Sequence, residues 1–280
     1  MNGETNLKKK ISIIDVKKCK ETREKYSMVT GYDYTTATII NESSINMILV
    51  GDSLGMVMMG YESTVPVTME EMIHHIRAVV KGAPQTLIVG DLPFGSYNVS
   101  IEQAVANANR LMKEGGCDCV KLEGGSEMAD VIQAIVRAGI PVVGHIGLTP
   151  QSISALGGYK VQGKDYEAAE KLVSDAKAIE AAGAFMVVVE CVPAVVGKLI
   201  TDSINIPTMG IGAGVDCDCQ ILILQDMMGM YADLAPKFVK KYASLREVMV
   251  EALDTFHSEV RDKSFPTEEF SYNTKIEGLE

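Results

Sequence analysis

Residues 185–193 read Phe-Met-Val-Val-Val-Glu-Cys-Val-Pro, and this stretch shows how the chain is built. Its apolar, largely β-branched run predicts a buried strand that ends at an acidic residue, and its proline can start a helix. Tyr166–Ala182 before it has helical character and is closed by Gly183, and Pro193–Ser203 after it is also helical. With the next apolar run at Ile206–Met209, this is the βαβ alternation of a parallel sheet.

The same alternation recurs along the whole chain. The predicted strands are Tyr26–Thr30, Asn46–Val50, Thr86–Val89, Cys119–Leu122, Pro141–Gly144, Phe185–Val189, Ile206–Met209 and Ile221–Leu224. The predicted helices are Asp15–Glu24, Thr35–Glu42, Thr68–Lys81, Ile101–Glu114, Ser126–Ala138, Tyr166–Ala182, Pro193–Ser203 and Lys240–Val260. Eight β/α units in about 250 residues predict an α/β fold, the (β/α)8 TIM barrel.

We expect a single barrel domain over residues 11–265, flanked by a flexible N-terminal tail at 1–10 and a C-terminal tail at 266–280. The first predicted helix would cap the barrel, and the last would form a helical extension. A doubly wound open sheet is the alternative. The glycine cluster Gly210–Gly214 does not support it, because it follows a late strand and lacks the dinucleotide-binding spacing.

Composition excludes several classes of function. The 280 residues are 47% hydrophobic and 22% charged, typical of a globular protein, and no apolar run approaches the ~20 residues of a membrane span. Without a signal-peptide core, a cytoplasmic protein with no membrane partner is expected. The net charge of -11 disfavours nucleic acid as a partner.

The cysteines are interpreted as reduced thiols. Two Cys-Asp-Cys segments, Cys117–Cys119 and Cys217–Cys219, have spacing unlike that of zinc sites, and we expect them at opposite ends of the barrel.

Acidic residues follow several predicted strands. In a TIM barrel the carboxyl ends of the strands form the active-site rim, so these carboxylates should converge there. They are Asp52, Asp91, Glu123 and Glu190. Like charges held together need a cation or bound protons, and oxygen ligands favour Mg2+. Asp52 and Asp91 are the nearest candidate ligands, and Glu123 would bind directly or through water. Alternatively, such acids cap helices.

Three residues of the rim suit catalysis. Lys121 precedes Glu123 by two residues, so both should point into the barrel, where the lysine would hold a substrate oxygen or form a structural ion pair. His145 would be a proton donor, a group that supports a metal or substrate ligand, or a structural histidine. Glu190, between an apolar strand and a proline-started helix, suits a general base.

Several ordered motifs together resemble one known family, ketopantoate hydroxymethyltransferase. They are Val50-Gly51-Asp52-Ser53-Leu54-Gly55, Gly90-Asp91-Leu92-Pro93-Phe94, Val120-Lys121-Leu122-Glu123-Gly124-Gly125, Gly144-His145-Ile146-Gly147-Leu148-Thr149-Pro150-Gln151-Ser152, Gly157-Gly158-Tyr159-Lys160-Val161-Gln162-Gly163 and Glu190-Cys191-Val192-Pro193. The resemblance covers roughly residues 26–265. It implies a TIM barrel that transfers a hydroxymethyl group from 5,10-methylenetetrahydrofolate to 3-methyl-2-oxobutanoate through a Mg-stabilised enolate, the first committed step of pantothenate biosynthesis.

The resemblance also implies residue roles. Metal binding falls on Asp52, Asp91 and Glu123, oxoacid binding on Asp52, Ser53, Asp91 and Lys121, and proton abstraction on Glu190. A homo-oligomer, typically a decamer, is implied as well. Two other functions are considered: a Mg-dependent 2-oxoacid lyase or mutase of the phosphoenolpyruvate or isocitrate type, and a non-catalytic oxoacid-binding barrel.

Overall fold

A computed structural model describes residues 8–231 and 236–278. Residues 1–7 of the expected N-terminal tail, 1–10, therefore lie outside the described residues. The last two residues of the expected C-terminal tail, 266–280, lie outside them as well.

Eight parallel strands of the described chain close into a barrel in sequence order, which confirms the predicted fold. The strands are β1 Ser27–Thr30, β2 Met47–Val50, β3 Leu87–Asp91, β4 Cys119–Lys121, β5 Val142–Gly147, β6 Met186–Glu190, β7 Thr208–Ile211 and β8 Cys219–Leu222. The parallel pairing of β1 with β8 closes the barrel, with Met28 as the register partner of Ile221. Closure removes the exposed sheet edges that an open sheet would have.

Helices connect the strands. They are α1 Ile13–Lys17, α2 Cys19–Thr22, α3 Tyr34–Glu42, α4 Leu54–Val57, α5 Met69–Gly82, α6 Ile101–Arg110, α7 Ala129–Arg137, α8 Ile153–Leu156, α9 Tyr166–Ala181, α10 Ala194–Ser203, α11 Leu224–Met227 and α12 Leu245–Asp262. Several helices begin at a residue whose side chain accepts a hydrogen bond from a free backbone N–H of the first turn. Thr68 does this for α5 and Asp165 for α9. No described helix is both long enough and apolar enough to cross a bilayer.

Apolar side chains fill the barrel interior at alternate positions along the strands, such as Met47 and Leu49 of β2 and Met186 and Val188 of β6. Val16 of α1 and Cys19 of α2 join this cluster, so the N-terminal helices pack against the barrel core as the predicted capping helix should. Burial of such apolar surface is the main stabilising contribution to a core of this kind.

Several predicted bounds were wrong. The predicted helix Asp15–Glu24 is interrupted at Lys18 and ends where Arg23 adopts a φ of 58°. The predicted helix Ile101–Glu114 turns into a π-helical segment at Leu111–Gly115.

The last strand begins at Cys219, two residues earlier than expected, which corrects the placement of the cysteines. Cys117–Cys119 and Cys217–Cys219 both lie where a strand begins, β4 and β8 respectively. Parallel strands all begin at the same end of the barrel, so the two segments are not at opposite ends.

The chain divides into two compact units. The first runs through Leu224, includes Lys237–Val239 and contains the barrel. The second comprises the remaining described residues and contains α12, in which no residue is buried. The expected C-terminal helical extension is therefore present, beginning at Leu245 rather than at Lys240.

Candidate active site

Strand alternation brings polar side chains to the carboxyl end of the barrel. Along β3, Leu87 and Val89 belong to the core cluster, and Asp91 follows two residues later on the same face. The same period places Lys121 and Glu123 after Cys119, His145 after Val143, and Glu190 after Val188. On each of these strands, the core residues and the site residue therefore lie on the same face. The core residues come first along the strand, and the site residue follows at its carboxyl end.

Asp52 reaches the site from a turn rather than from a strand face. It follows Gly51 after β2, is 4% exposed, and its backbone N–H donates to Asp91 Oδ2 over 3.2 Å. The next residue, Ser53, hydrogen-bonds through its hydroxyl to the Tyr32 hydroxyl at 2.8 Å. Neither Asp52 nor Asp91 caps a helix: Ser53 is the N-cap of α4, and Asp91 lies within β3.

Lys121 is the buried counter-ion of the cluster. Asp91 and Lys121 are register partners on β3 and β4, and the Lys121 amine donates to both Asp91 oxygens at 2.9 Å. It lies 3.4 Å from Glu123 Oε1, so its main partner is Asp91 rather than Glu123. Burial lowers the pKa of Lys121, but Asp91, Glu123 and Asp52 outweigh burial and raise it, which keeps the amine charged.

The carboxylates respond differently to their surroundings. Burial raises the pKa of Asp52 well above its ordinary value and the charge of Asp91 adds to this, while Lys121 opposes both. Burial likewise raises the pKa of Asp91 against the effect of Lys121. For Glu123, Lys121 and His145 outweigh burial and lower the pKa. In the absence of a cation, the surroundings therefore favour protonation of the two aspartates and ionisation of Glu123.

His145 lies between two carboxylates. Its Nδ1 is 3.4 Å from Glu123 Oε1, and its Nε2 is 3.2 Å from Glu190 Oε2. Burial and Lys121 lower the pKa of His145, yet the two carboxylates outweigh them and raise it to about 9. An imidazolium has a donor on each ring nitrogen, which matches a carboxylate on either side.

Backbone geometry at the end of β6 directs Glu190. The next residue, Cys191, has a φ of 51°, a left-handed conformation that costs a non-glycine residue about 1–2 kcal/mol. Two backbone hydrogen bonds hold it there: its N–H donates to Ile211 O at 2.8 Å, and its carbonyl accepts from Gln162 N at 2.9 Å. The chain thus turns sharply after Glu190, whose side chain is the most exposed of the cluster at 16%.

The structure brings Asp52, Asp91, Lys121, Glu123, His145 and Glu190 into one connected cluster. Ser53 is adjacent to it. Sequence reasoning missed three residues that contact this set or Ser53: Tyr97 and Gln151 contact the cluster, and Tyr32 contacts Ser53. Gln151 lies in the motif Gly144–Ser152, where nothing in the sequence indicates a role for its side chain, and Tyr97 lies in a loop where no periodic pattern applies.

The donor set suits a hard divalent cation. Within residues 8–231 and 236–278 no group of three His, Cys, Asp or Glu side chains is arranged to hold a metal ion, and Lys121 contacts Asp91 and Glu123 instead. Nevertheless, the acidic side chains of the cluster offer carboxylate oxygens, which are the ligands that Mg2+ prefers. Burial, with a smaller contribution from neighbouring carboxylates, raises the pKa of Asp52 and of Asp91, and a bound cation would favour the ionised form of both.

Comparison with known proteins gives one consistent assignment. Residues 10–268 match the family model described as ketopantoate hydroxymethyltransferase. A 3-methyl-2-oxobutanoate hydroxymethyltransferase of Enterococcus faecalis is 57% identical over 271 residues, covering 97% of this chain and 98% of that protein. The protein of the same name from Carboxydothermus hydrogenoformans is 53% identical over 271 residues, with the same shares covered.

Among solved structures, the fold resembles phosphonopyruvate hydrolase in complex with oxalate and Mg++, with a TM-score of 0.61 at 10% identity over 92% of each chain. At that identity the likeness concerns the fold alone. The family match and the two sequence relatives, which span nearly the whole chain, carry the assignment. The chain therefore belongs to the ketopantoate hydroxymethyltransferase family, whose members are transferase enzymes.

Proposed function

We propose that this chain transfers a hydroxymethyl group from 5,10-methylenetetrahydrofolate to 3-methyl-2-oxobutanoate, forming 2-dehydropantoate and tetrahydrofolate. The observation that carries the proposal is the connected cluster in which a lysine and a histidine lie among four carboxylates at the carboxyl end of the barrel. This combination can hold a 2-oxoacid beside a base. The names of the sequence relatives support the same reaction.

In this proposal Asp52, Asp91 and Glu123 hold Mg2+. When bound there, the cation supplies Lewis acidity to the keto oxygen and so makes the C3 hydrogen of the oxoacid more acidic.

Lys121 and Ser53 contact the oxoacid. The Lys121 charge, held by Asp91 at 2.9 Å, stabilises the negative charge that develops on the keto oxygen as the C3 proton leaves. The Ser53 hydroxyl, held at 2.8 Å from the Tyr32 hydroxyl, donates to the substrate carboxylate. Because these groups are held before the substrate arrives, little reorganisation accompanies the reaction.

Glu190 removes the C3 proton. Its Oε2 faces His145 Nε2 at 3.2 Å, which leaves Oε1 to accept the proton. The resulting nucleophilic carbon forms the new C–C bond to the one-carbon unit of the folate. One C–N bond of the folate methylene group breaks as this C–C bond forms, and the nitrogen that leaves takes up the proton held by Glu190. Water then displaces the second folate nitrogen: its oxygen becomes the hydroxyl of the hydroxymethyl group and its proton goes to that nitrogen, which releases tetrahydrofolate.

Proton NMR in D2O tests the proposal. The signal of the C3 hydrogen of 3-methyl-2-oxobutanoate is followed with enzyme and Mg2+, before and after 5,10-methylenetetrahydrofolate is added. We expect Mg2+-dependent exchange and then 2-dehydropantoate. If folded, Mg2+-loaded protein gives neither, the transferase proposal fails, and a lyase, a mutase or a non-catalytic oxoacid-binding barrel replaces it.

The variant Glu190→Gln should abolish exchange and keep Mg2+-dependent oxoacid binding, because it removes the base without altering the size of the side chain. Glu167→Gln, at an exposed position, is the matched control and should exchange at the normal rate. Unchanged exchange in Glu190→Gln would remove Glu190 from this role.

A further inference from the structure

Gln151 connects two of the carboxylates in the candidate cation site. It lies in the short 3-10 helix Pro150–Ser152 after β5 and is 4% exposed. Its amide nitrogen donates to Asp52 Oδ2 at 2.9 Å and to Leu92 O at 3.0 Å. Its backbone N–H donates to Glu123 Oε2 at 3.0 Å. One residue thus contacts both Asp52 and Glu123 directly.

Tyr97 determines which way the Gln151 amide faces. Tyr97 is 1% exposed, and its hydroxyl donates a hydrogen bond to Gln151 Oε1 at 2.6 Å. Its oxygen accepts the Glu123 backbone N–H at 3.2 Å. The reversed amide would place Oε1 against the Leu92 carbonyl, which can only accept hydrogen bonds, and against the ionised form of Asp52, which also only accepts.

These contacts form a hydrogen-bond chain with one direction. It runs from the Glu123 N–H to the Tyr97 hydroxyl, through the Gln151 amide, and ends on Asp52 Oδ2. Hydrogen bonds in such a chain polarise one another, and donors that end on a carboxylate favour its ionised form. One chain of hydrogen bonds thus links the backbone of Glu123 to the carboxylate of Asp52.

We propose that Gln151, oriented by Tyr97, is a positioning residue that holds Asp52 and Glu123 in the orientation in which they bind a divalent cation. The inference rests on the proposed function only in taking these carboxylates as cation ligands. Neither residue is required to touch the oxoacid or the folate. Groups that orient metal ligands in this way typically change cation affinity by about 10- to 100-fold when they are removed.

Direct Mn2+ binding tests the proposal. Free Mn2+ is measured by electron paramagnetic resonance in the presence of wild type, Gln151→Met, Tyr97→Phe and the double variant, without oxoacid or folate. We expect each single variant to bind Mn2+ at least about tenfold more weakly. The double variant should bind about as weakly as Gln151→Met alone, because Tyr97 acts through the same amide.

Tyr26→Phe is the matched control. It also removes the hydroxyl of a buried tyrosine, but that hydroxyl bonds to Glu24 before β1 and belongs to no part of the chain described above. It should leave Mn2+ affinity unchanged. Thermal unfolding shows which variants fold, and Tyr97→Phe, which loses only one oxygen, provides the test if Gln151→Met does not fold.

C3 exchange at increasing Mn2+ gives a second readout. We expect the variants to need more cation for half-maximal exchange while reaching a maximal rate close to that of the wild type. A merely structural role would lower the melting temperature and the maximal rate without changing the dissociation constant for Mn2+.

Unchanged Mn2+ affinity in both single variants would overturn the inference, as would losses that multiply in the double variant or an equal loss in Tyr26→Phe. Absence of Mn2+ binding by the wild type at millimolar concentration would overturn it as well. The transferase assay with oxoacid and folate judges the proposed function separately. Full turnover combined with unchanged Mn2+ affinity in the variants would leave that function standing and remove only the role of Gln151.

Discussion

Gly147 of β5 and Glu190 of β6 are register partners at the carboxyl ends of their strands, and the backbone of Glu190 leaves no room for a side chain at position 147. A Cβ added to Gly147 would overlap the Glu190 carbonyl oxygen. That oxygen accepts a hydrogen bond from Leu148 N at 2.9 Å. The position of the candidate base is therefore set partly by a residue with no side chain on the neighbouring strand.

Gly147→Ala should displace Glu190 and slow C3 exchange about tenfold to hundredfold, because small errors in the position of a reacting group are costly to the rate. Gly139→Ala is the matched control, since Gly139 has a φ of 87°, close to the 93° of Gly147, and its added Cβ would meet nothing within 4 Å. Both variants should lose about 1–2 kcal/mol of stability through the unfavourable φ, and Gly147→Ala should lose more, because its Cβ also overlaps the Glu190 carbonyl oxygen. Equal exchange rates in the two variants would contradict the positional role of Gly147.

Lys121→Met should destabilise the cation-free protein by about 3–5 kcal/mol, because it leaves buried carboxylates without their counter-ion. Millimolar Mg2+ should restore part of this loss, since a ligand that binds only the folded state stabilises it. Urea unfolding with EDTA and with Mg2+ measures both effects. Lys198→Met removes the exposed partner of Asp202 and should change little. A loss of the same size in EDTA and in Mg2+ would argue against a cation site beside Lys121.

His145 should make stability depend on pH above neutrality. Its pKa is raised from 6.5 to about 9 in the folded protein, so folding favours the charged ring. The resulting stabilisation is full below the unfolded value and is lost as pH rises through the folded value. Relative to His145→Gln, the wild type should therefore lose its advantage in unfolding free energy between these two pH values. Urea unfolding in EDTA across that range measures it, and a difference that does not change with pH would refute the prediction.

Cation binding should release protons from the aspartates. The pKa of Asp52 and that of Asp91 are raised in the cation-free protein, so a cation competes with protons there and its affinity should increase with pH. Calorimetry in buffers of different ionisation enthalpy counts the protons released.

Asp91→Asn should weaken Mg2+ binding at least about tenfold and reduce proton release. Wild-type affinity in this variant would exclude Asp91 as a ligand, and the exposed Asp202→Asn serves as control.

Strand periodicity predicted the inward direction of Lys121 and Glu123, because side chains two residues apart on a strand share a face. The structure places both in the site, at 3% and 4% exposure. The same reasoning could not orient Asp52, which follows β2 on a turn, where direction depends on backbone bonds such as the one to Asp91 at 3.2 Å. Nor could it establish that Lys121 contacts Asp91 more closely than Glu123, since that choice depends on the register of β3 against β4.

The barrel, the family and most of the residues at the carboxyl end of the barrel could be predicted from the amino-acid sequence. These follow from local information: the apolar period of each strand, the glycines and acids that end it, and motifs contiguous in the chain. Two contacts became apparent only in the folded chain: His145 lies between Glu123 and Glu190, and Gln151 contacts Asp52, which is 99 residues away in sequence. Such contacts form between loops and strands far apart in sequence, where no short-range pattern specifies the direction of a side chain and the packing of the closed barrel sets it.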